Sequence, residues 1–244
     1  MKKVKVAFFD FACCEGCQLQ TANFGEDLLD ILDLIEIVNF REIMSERSDD
    51  YDIAIIEGSI TTPHAVERIK EIRDQAKVLI AYGSCATIGG INGMKNNFNL
   101  ENIKDYVYHE GRKFFPTIPT HAVNQVVKID YYVHGCPIYI PEFIKVLKCA
   151  LRDIPYRVPD YAVCVECKLN ENVCMYDKGI TCLGPITRAG CNSWCINNGN
   201  ICYACRGVVT NPAENGQKDI LEKYNISLDW ILNKINMYNT TIKN

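Results

Sequence analysis

The fold is decided by a pattern that first occurs in residues 4–17, VKVAFFDFACCEGC, where a short apolar run ends in a cysteine-bearing loop. Similar apolar runs recur along the first 150 residues, at 34–40, 52–57, 77–82 and 127–133. Longer stretches with the apolar spacing of helices alternate with them, at 18–32, 63–75 and 141–151. This alternation predicts a parallel α/β sheet covered by helices.

Four cysteines of this half follow predicted strands. Cys14 and Cys17 come after the first strand, Cys85 after the fourth and Cys136 after the fifth. In open parallel sheets, ligands bind outside the carboxyl ends of the strands. We therefore expect these four thiols to converge at one edge of the sheet, although spacing alone would allow Cys13 to take the place of Cys14.

The second half contains a much denser group of cysteines. Eight of the 14 in the chain follow the spacing C-x2-C-x6-C-x7-C-x8-C-x3-C-x6-C-x2-C, and they are Cys164, Cys167, Cys174, Cys182, Cys191, Cys195, Cys202 and Cys205. So many thiolates with few other core-forming residues predict a segment that folds around metal. Structural zinc also uses four cysteines. Iron–sulfur clusters are favoured because the first four thiols come from separated loops of a sheet, as a buried redox site requires.

Composition argues against several other classes of protein. The 244 residues are 48% hydrophobic and 23% charged, and the net charge is −4, which disfavours nucleic acid or an anionic membrane as the main partner. No apolar run approaches the roughly 20 residues of a membrane span. Without an export signal we expect a cytoplasmic, reducing compartment, where disulfides are a poor explanation for the cysteines.

The chain divides into two predicted domains. Pro155 and Pro159 mark the boundary between a sheet domain, residues 1–155, and a cysteine-rich domain, residues 156–244. Residues 92–120 show no clear period and are predicted to be irregular. Residues 217–238 have a helical pattern and are expected to pack back on the chain.

At this point the motifs resemble those of a known family, the small subunits of NiFe hydrogenases. The motifs are CEGC (14–17), EGS (57–59), GSCA (83–86), GCP (135–137), CLGPITRAGC (182–191) and CYACRG (202–207). The likeness covers nearly the whole chain. It is greatest to the cytosolic branch that includes sulfhydrogenase delta subunits and their methanogen relatives.

The resemblance implies a flavodoxin-like domain followed by a small iron–sulfur domain, with three 4Fe–4S clusters in all. Cys14, Cys17, Cys85 and Cys136 would bind the proximal cluster. Cys191, Cys195, Cys202 and Cys205 would bind the medial cluster, and Cys164, Cys167, Cys174 and Cys182 the distal one. These groups are called the proximal, medial and distal sets below. Some relatives offer only three medial cysteines and hold a 3Fe–4S centre, so Cys195 favours a 4Fe–4S cluster here.

The implied function is electron transfer. Electrons from a nickel–iron site on a separate large subunit would pass through the three clusters to a flavin or iron–sulfur acceptor subunit, and the chain would be inactive alone. Adjacent Cys13 and Cys14 also resemble the related cluster subunit of respiratory complex I, in which neighbouring cysteines both bind. A complex I-like redox subunit without hydrogenase activity is the alternative interpretation, although that subunit has no counterpart to the eight-cysteine segment.

Overall fold

The structure is a computed structural model that describes residues 3–23, 25, 31–210 and 220–240. Five parallel strands form one sheet in the order β2-β1-β3-β4-β5. They are β1 Val4–Asp10, β2 Ile35–Asn39, β3 Ile53–Glu57, β4 Val78–Tyr82 and β5 Tyr131–Val133. This order is that of the flavodoxin-like doubly wound fold, which confirms the predicted fold class.

Both faces of the sheet are buried, which explains why the strands are continuous apolar runs rather than alternating ones. In β3, Ile53 and Ile55 belong to a core on one face, whereas Ala54 and Ile56 belong to a core on the other. All five residues of β3 are buried. A central parallel strand requires this composition because helices cover it from both sides.

Of the helices beside the sheet, the second and the fifth lie where the sequence predicted them, whereas the first, third and fourth depart from the prediction. They are α1 Gly16–Ala22, α2 Pro63–Gln75, α3 Gly83–Ile88, α4 Leu100–Tyr108 and α5 Ile140–Ala150. Helix α2 begins as predicted, because Pro63 occupies the first turn and the Thr62 hydroxyl accepts a hydrogen bond from the Ala65 N–H at 3.1 Å. The predicted helix at 18–32 includes residues 24 and 26–30, which lie outside the described residues.

The prediction that residues 92–120 are irregular is wrong. A 3₁₀ helix at Ile91–Asn97, α4 and a second 3₁₀ helix at His109–Phe114 occupy most of this segment. Helix α4 is nine residues long, is capped by the Asn99 side chain and contains no buried residue, so its apolar side chains do not belong to the core. The predicted fifth strand is also too long, since residues 127–130 are not part of it.

The cysteine-rich segment has little regular structure. It contains α6 Val163–Leu169, the single turn α7 Trp194–Asn197 and, near the chain end, α8 Leu228–Ile235. Helix α8 packs back on the chain as expected: Ile231 is buried with Leu183, Ile186 and Ala204. Residues 217–219 of the predicted tail helix lie outside the described residues. None of the helices among the described residues is both long and apolar enough to cross a bilayer.

A buried ion pair joins the sheet to the cysteine-rich segment. The Arg206 guanidinium donates to both carboxylate oxygens of Glu142 on α5, at 2.6 and 2.8 Å. It also donates to the carbonyl oxygens of His134, at 2.6 Å, and Ala189, at 2.9 Å, while the Tyr156 hydroxyl donates to Glu142 at 3.0 Å. Arg206 is 1% exposed and Glu142 is 5% exposed. The two parts of the chain are therefore locked together wherever the division between domains is drawn.

We expect either charge of this pair to be costly to remove alone. Glu142→Leu or Arg206→Met leaves an unpaired buried charge and should lower the free energy of unfolding by about 3–5 kcal/mol. The double variant leaves no buried charge and should recover most of that loss. Urea unfolding of the full chain measures all three, with Arg112→Ala, which breaks a half-exposed pair with Asp105, as the control at about 1 kcal/mol or less. If the loss in the double variant equalled the sum of the two single losses, the buried pairing of Arg206 with Glu142 would be contradicted.

Candidate metal centres

The proximal set lies at the carboxyl edge of the sheet, where the sequence predicted it. Cys14 and Cys17 follow β1, and Cys17 is in the first turn of α1. Cys85 is in α3, directly after β4, and Cys136 is in the loop after β5. Two of the expected loops are thus the first turns of short helices, which fix the direction of the sulfur more firmly than a loop would.

Glu57 holds the first of these turns in place. It ends β3 and is 2% exposed, and its two carboxylate oxygens accept hydrogen bonds from the N–H groups of Cys17 and Gln18, each at 3.1 Å. These N–H groups belong to the start of α1 and have no partner within the helix. Glu57 therefore positions the backbone at Cys17 by capping the start of α1.

Close packing around Cys17 explains Gly83. Its φ is +84°, and a Cβ atom there would lie 2.6 Å from the Cys17 sulfur. No side chain can be accommodated so close to that sulfur, so glycine is required where β4 passes into α3. The Ser84 N–H also donates to the Gly135 carbonyl oxygen at 2.7 Å, which joins the Cys85 loop to the Cys136 loop.

The proximal thiols are close enough to influence one another electrostatically. Burial raises the pKa of Cys17 well above its ordinary value and that of Cys85 to about 12. Charges on Cys136 contribute to both shifts. Cys136 is exposed as a residue, yet burial of its sulfur is the main cause that raises its pKa. Thiols of this kind are protonated when free and become thiolates only with a strong partner such as a metal.

The distal set lines one cavity. Cys164, Cys167, Cys174 and Cys182 all border a space of about 240 Å³, together with Met175 and Tyr176. Cys164 and Cys167 lie one helical turn apart on α6 rather than on the tight turn expected for their C-x-x-C spacing. Gly184 leaves room beside them, because a Cβ atom there would lie 3.2 Å from the Cys164 sulfur.

The medial set lines a second cavity, of about 50 Å³. Cys191, Cys195, Cys202 and Cys205 border it. Cys136 of the proximal set lies on the same cavity, and its backbone N–H lies close enough to the Cys205 sulfur to lower the pKa of that thiol. The Ser84 hydroxyl donates to the Cys205 carbonyl oxygen as well. The proximal and medial sets are therefore direct neighbours.

The distal cavity is large enough for a group of several atoms. All 14 cysteines are free thiols. Within residues 3–23, 25, 31–210 and 220–240, no three Cys, His, Asp or Glu side chains are close enough together to hold a single metal ion. The distal cavity is many times the roughly 10–15 Å³ that one water molecule needs. Sulfur ligands spread around such a space suit a larger inorganic group.

Several site residues were missed or left open by the sequence. Glu166 on α6 accepts hydrogen bonds from the N–H groups of Gly190 and Ser193, at 2.7 and 3.1 Å, and so holds the loop that contains Cys191. The position of Glu166 between Cys164 and Cys167 in the sequence does not indicate this role. His134 has a structural role, since its Nδ1 is hydrogen-bonded to Thr87 at 2.9 Å and burial lowers its pKa.

The two remaining cysteines lie outside the three sets. The Cys13 thiol points back to the Phe11 carbonyl oxygen at 3.5 Å. Burial raises its pKa to about 12. Cys149 is partly buried on α5 and packs against the core of the sheet. Cys149 thus occupies a core position.

We expect Glu57→Gln to destabilise the α1 turn. The amide offers only one acceptor oxygen, so one of the two buried N–H groups loses its partner, at a cost of about 1–3 kcal/mol. Urea unfolding of the full chain measures the loss. Glu67→Gln, at an exposed position of α2, is the matched control and should change stability by no more than about 0.5 kcal/mol. Equal effects of the two substitutions would contradict the positioning role of Glu57.

Comparison with known proteins agrees with this arrangement. Residues 14–150 match the family described as NADH ubiquinone oxidoreductase, 20 Kd subunit. The sulfhydrogenase 2 subunit delta of Pyrococcus furiosus is 33% identical over 225 residues, which cover 90% of this chain and 93% of the relative. A subunit of the vhu F420-non-reducing hydrogenase of Methanocaldococcus jannaschii is 31% identical, covering 87% of this chain and 85% of the relative.

Solved structures show the same fold. A chain of an NAD⁺-reducing [NiFe]-hydrogenase in the H2-reduced state superimposes with a TM-score of 0.57 and 24% identity, over 64% of this chain and 96% of the other. A chain of the Dm. baculatum [NiFeSe]-hydrogenase gives 0.59 and 17% identity, over 89% and 98%. The chain therefore belongs to the family of the 20 kDa subunit of NADH ubiquinone oxidoreductase, in the branch formed by the small subunits of NiFe hydrogenases.

Proposed function

We propose that this chain is the electron-transfer subunit of a NiFe hydrogenase and that it holds three 4Fe–4S clusters. The observation that carries the proposal is the grouping of sulfurs: four line one cavity, four line a second, and a cysteine of the sheet borders the second cavity too. When bound, such clusters take up and release single electrons. The protein contributes the ligands, the burial and the short separations between sites.

The three sites form a continuous row. Cys136 joins the proximal set to the medial set through its contact with Cys205. The medial and distal sets adjoin in turn, because the Cys202 N–H donates to the Cys182 sulfur at 3.3 Å. Ile196 lies on both cavities. This continuity supports a relay from proximal to medial to distal site, since electron transfer falls steeply with distance.

The edge of the sheet that bears the proximal set is suited to bind the large subunit. Cys14 is exposed there. The neighbouring segment presents Met94 and Phe98, 39% and 68% exposed, and it is tied to the proximal loop because the Asn92 amide donates to the Ala12 carbonyl oxygen at 2.6 Å. An apolar surface beside the first electron site is what a permanent partner requires. The acceptor, a flavin or iron–sulfur subunit, would bind near the distal set.

The same cysteine chemistry supports a proposal for the cellular compartment of this protein. Fourteen free thiols and oxygen-sensitive clusters both fit a reducing environment, and we propose the cytoplasm.

Metal analysis tests the proposal directly. The anaerobically purified protein should contain about twelve iron and about twelve sulfide per chain, four of each at every site, and no stoichiometric zinc. It should be brown, with broad absorption at the edge of the visible range. Zinc in place of iron would overturn the electron-transfer function.

Removal of one proximal ligand tests the relay. Cys136→Ser should abolish H2-dependent dye reduction by the complex while the medial and distal sites stay assembled, so that about eight iron remain per chain. Cys149→Ser, at a cysteine outside the three sets, is the control and should keep both iron content and turnover. Wild-type turnover in Cys136→Ser would contradict a relay that starts at the proximal set.

The medial site has its own test. Four cysteines line its cavity, so the oxidised complex should show no 3Fe–4S signal by electron paramagnetic resonance (EPR). Cys195→Ala should create that signal, because only three thiolates remain. A 3Fe–4S signal in the unaltered complex would show that Cys195 is not a ligand.

The alternative, a complex I-like redox subunit without hydrogenase activity, is favoured by one observation, the family match over residues 14–150. That match ends before Cys164, whereas the hydrogenase relatives align over about nine-tenths of the chain. Co-purification decides between the two. A large subunit with two nickel-type C-x-x-C motifs supports the hydrogenase, and its absence from an otherwise active complex supports the alternative.

A further inference from the structure

The segment after α8 ends against the boundary between the proximal and medial sets. Asn239 is 8% exposed, and its side-chain amide donates to the Ala204 carbonyl oxygen at 3.3 Å, within the Cys202–Cys205 motif. Ile231 on α8 is buried against the same motif. The position of this segment is therefore fixed by the medial loop and not by the sheet alone.

Tyr238 brings a hydroxyl group to the sulfurs. It is 9% exposed and lines the medial cavity together with Cys136 and Cys205. Its hydroxyl lies close enough to the Cys136 sulfur to lower the pKa of that thiol. A tyrosine phenol ordinarily has a pKa of about 10, so it is protonated and can donate at physiological pH.

We propose that Tyr238 is a positioning residue for electron transfer, which favours electron uptake at the proximal site by donating a hydrogen bond to the Cys136 sulfur. The inference rests on the proposed function. A donor at a thiolate sulfur stabilises added negative charge there, and hydrogen bonds to sulfur are among the factors that set cluster potentials. One electron arrives or leaves, no proton moves and no covalent bond changes.

The location gives this hydrogen bond a particular effect. Cys136 is the proximal ligand that borders the medial cavity, so Tyr238 acts on the proximal site at the exit toward the next one. Loss of the donor should make the proximal site harder to reduce and leave the distal site unchanged, because the distal cysteines line a different cavity.

The test is Tyr238→Phe in the whole complex, with Tyr203→Phe as the matched control. Tyr203 lines the same cavity, but it is not among the main groups that shift the pKa of Cys136. EPR-monitored redox titration should show the proximal reduction equilibrium shifted about ten-fold against reduction in Tyr238→Phe, about 59 mV for one electron. Tyr203→Phe should leave it in place, and both variants should keep the iron and sulfide content of the unaltered complex.

Each other outcome overturns the inference. An unmoved proximal potential in Tyr238→Phe, or an equal shift in Tyr203→Phe, removes the specific role of the Tyr238 hydroxyl. Loss of iron in Tyr238→Phe alone would mean that the residue supports assembly and does not tune the site. These results are distinct from failure of the proposed function, which would appear as missing iron and sulfide in the unaltered protein.

Discussion

The bidentate pair of Arg206 and Glu142 is the contact on which the site geometry depends. Desolvating two charges is costly unless every donor and acceptor is satisfied, and here the guanidinium also binds the carbonyl oxygens of His134 and Ala189. Those two carbonyls belong to the loops that lead to Cys136 and Cys191. One buried cation thus sets the separation between a loop of the sheet and a loop of the cysteine-rich segment, and with it the closeness of the proximal and medial sets.

Buried carboxylates repeat this principle within each part. Glu57 binds two backbone N–H groups at Cys17, and Glu166 binds two in the loop of Cys191. Both act on the backbone and leave the sulfurs free, so the thiols keep their direction without using their own hydrogen-bonding capacity. The cysteine-rich segment needs such contacts because its small cores include the cysteines themselves, among them Cys167, Cys182 and Cys202. Much of its cohesion must come from the group that the sulfurs bind.

The sequence was most informative where the apolar pattern and the local backbone preferences of a residue indicate the same element. Apolar runs identified all five strands, and Pro63 marked the start of α2, because a fixed proline φ acts locally. It was misleading at residues 92–120, where the short helix α4 buries no side chain. The C-x-x-C spacing of Cys164 and Cys167 suggested a tight turn, whereas the fold places both residues on a helix.

The sequence by itself determined which donors are present: twelve thiols in recognisable motifs, four of them directly after predicted strands. The tertiary structure decided which thiols share a cavity and which other side chains reach them. Arg206, Glu142 and Tyr238 are separated by up to 96 positions, and no local pattern distinguishes a buried ion pair or a hydroxyl at a sulfur from ordinary surface residues. Such contacts arise only when the chain brings distant segments together, because burial and mutual distance create their chemistry.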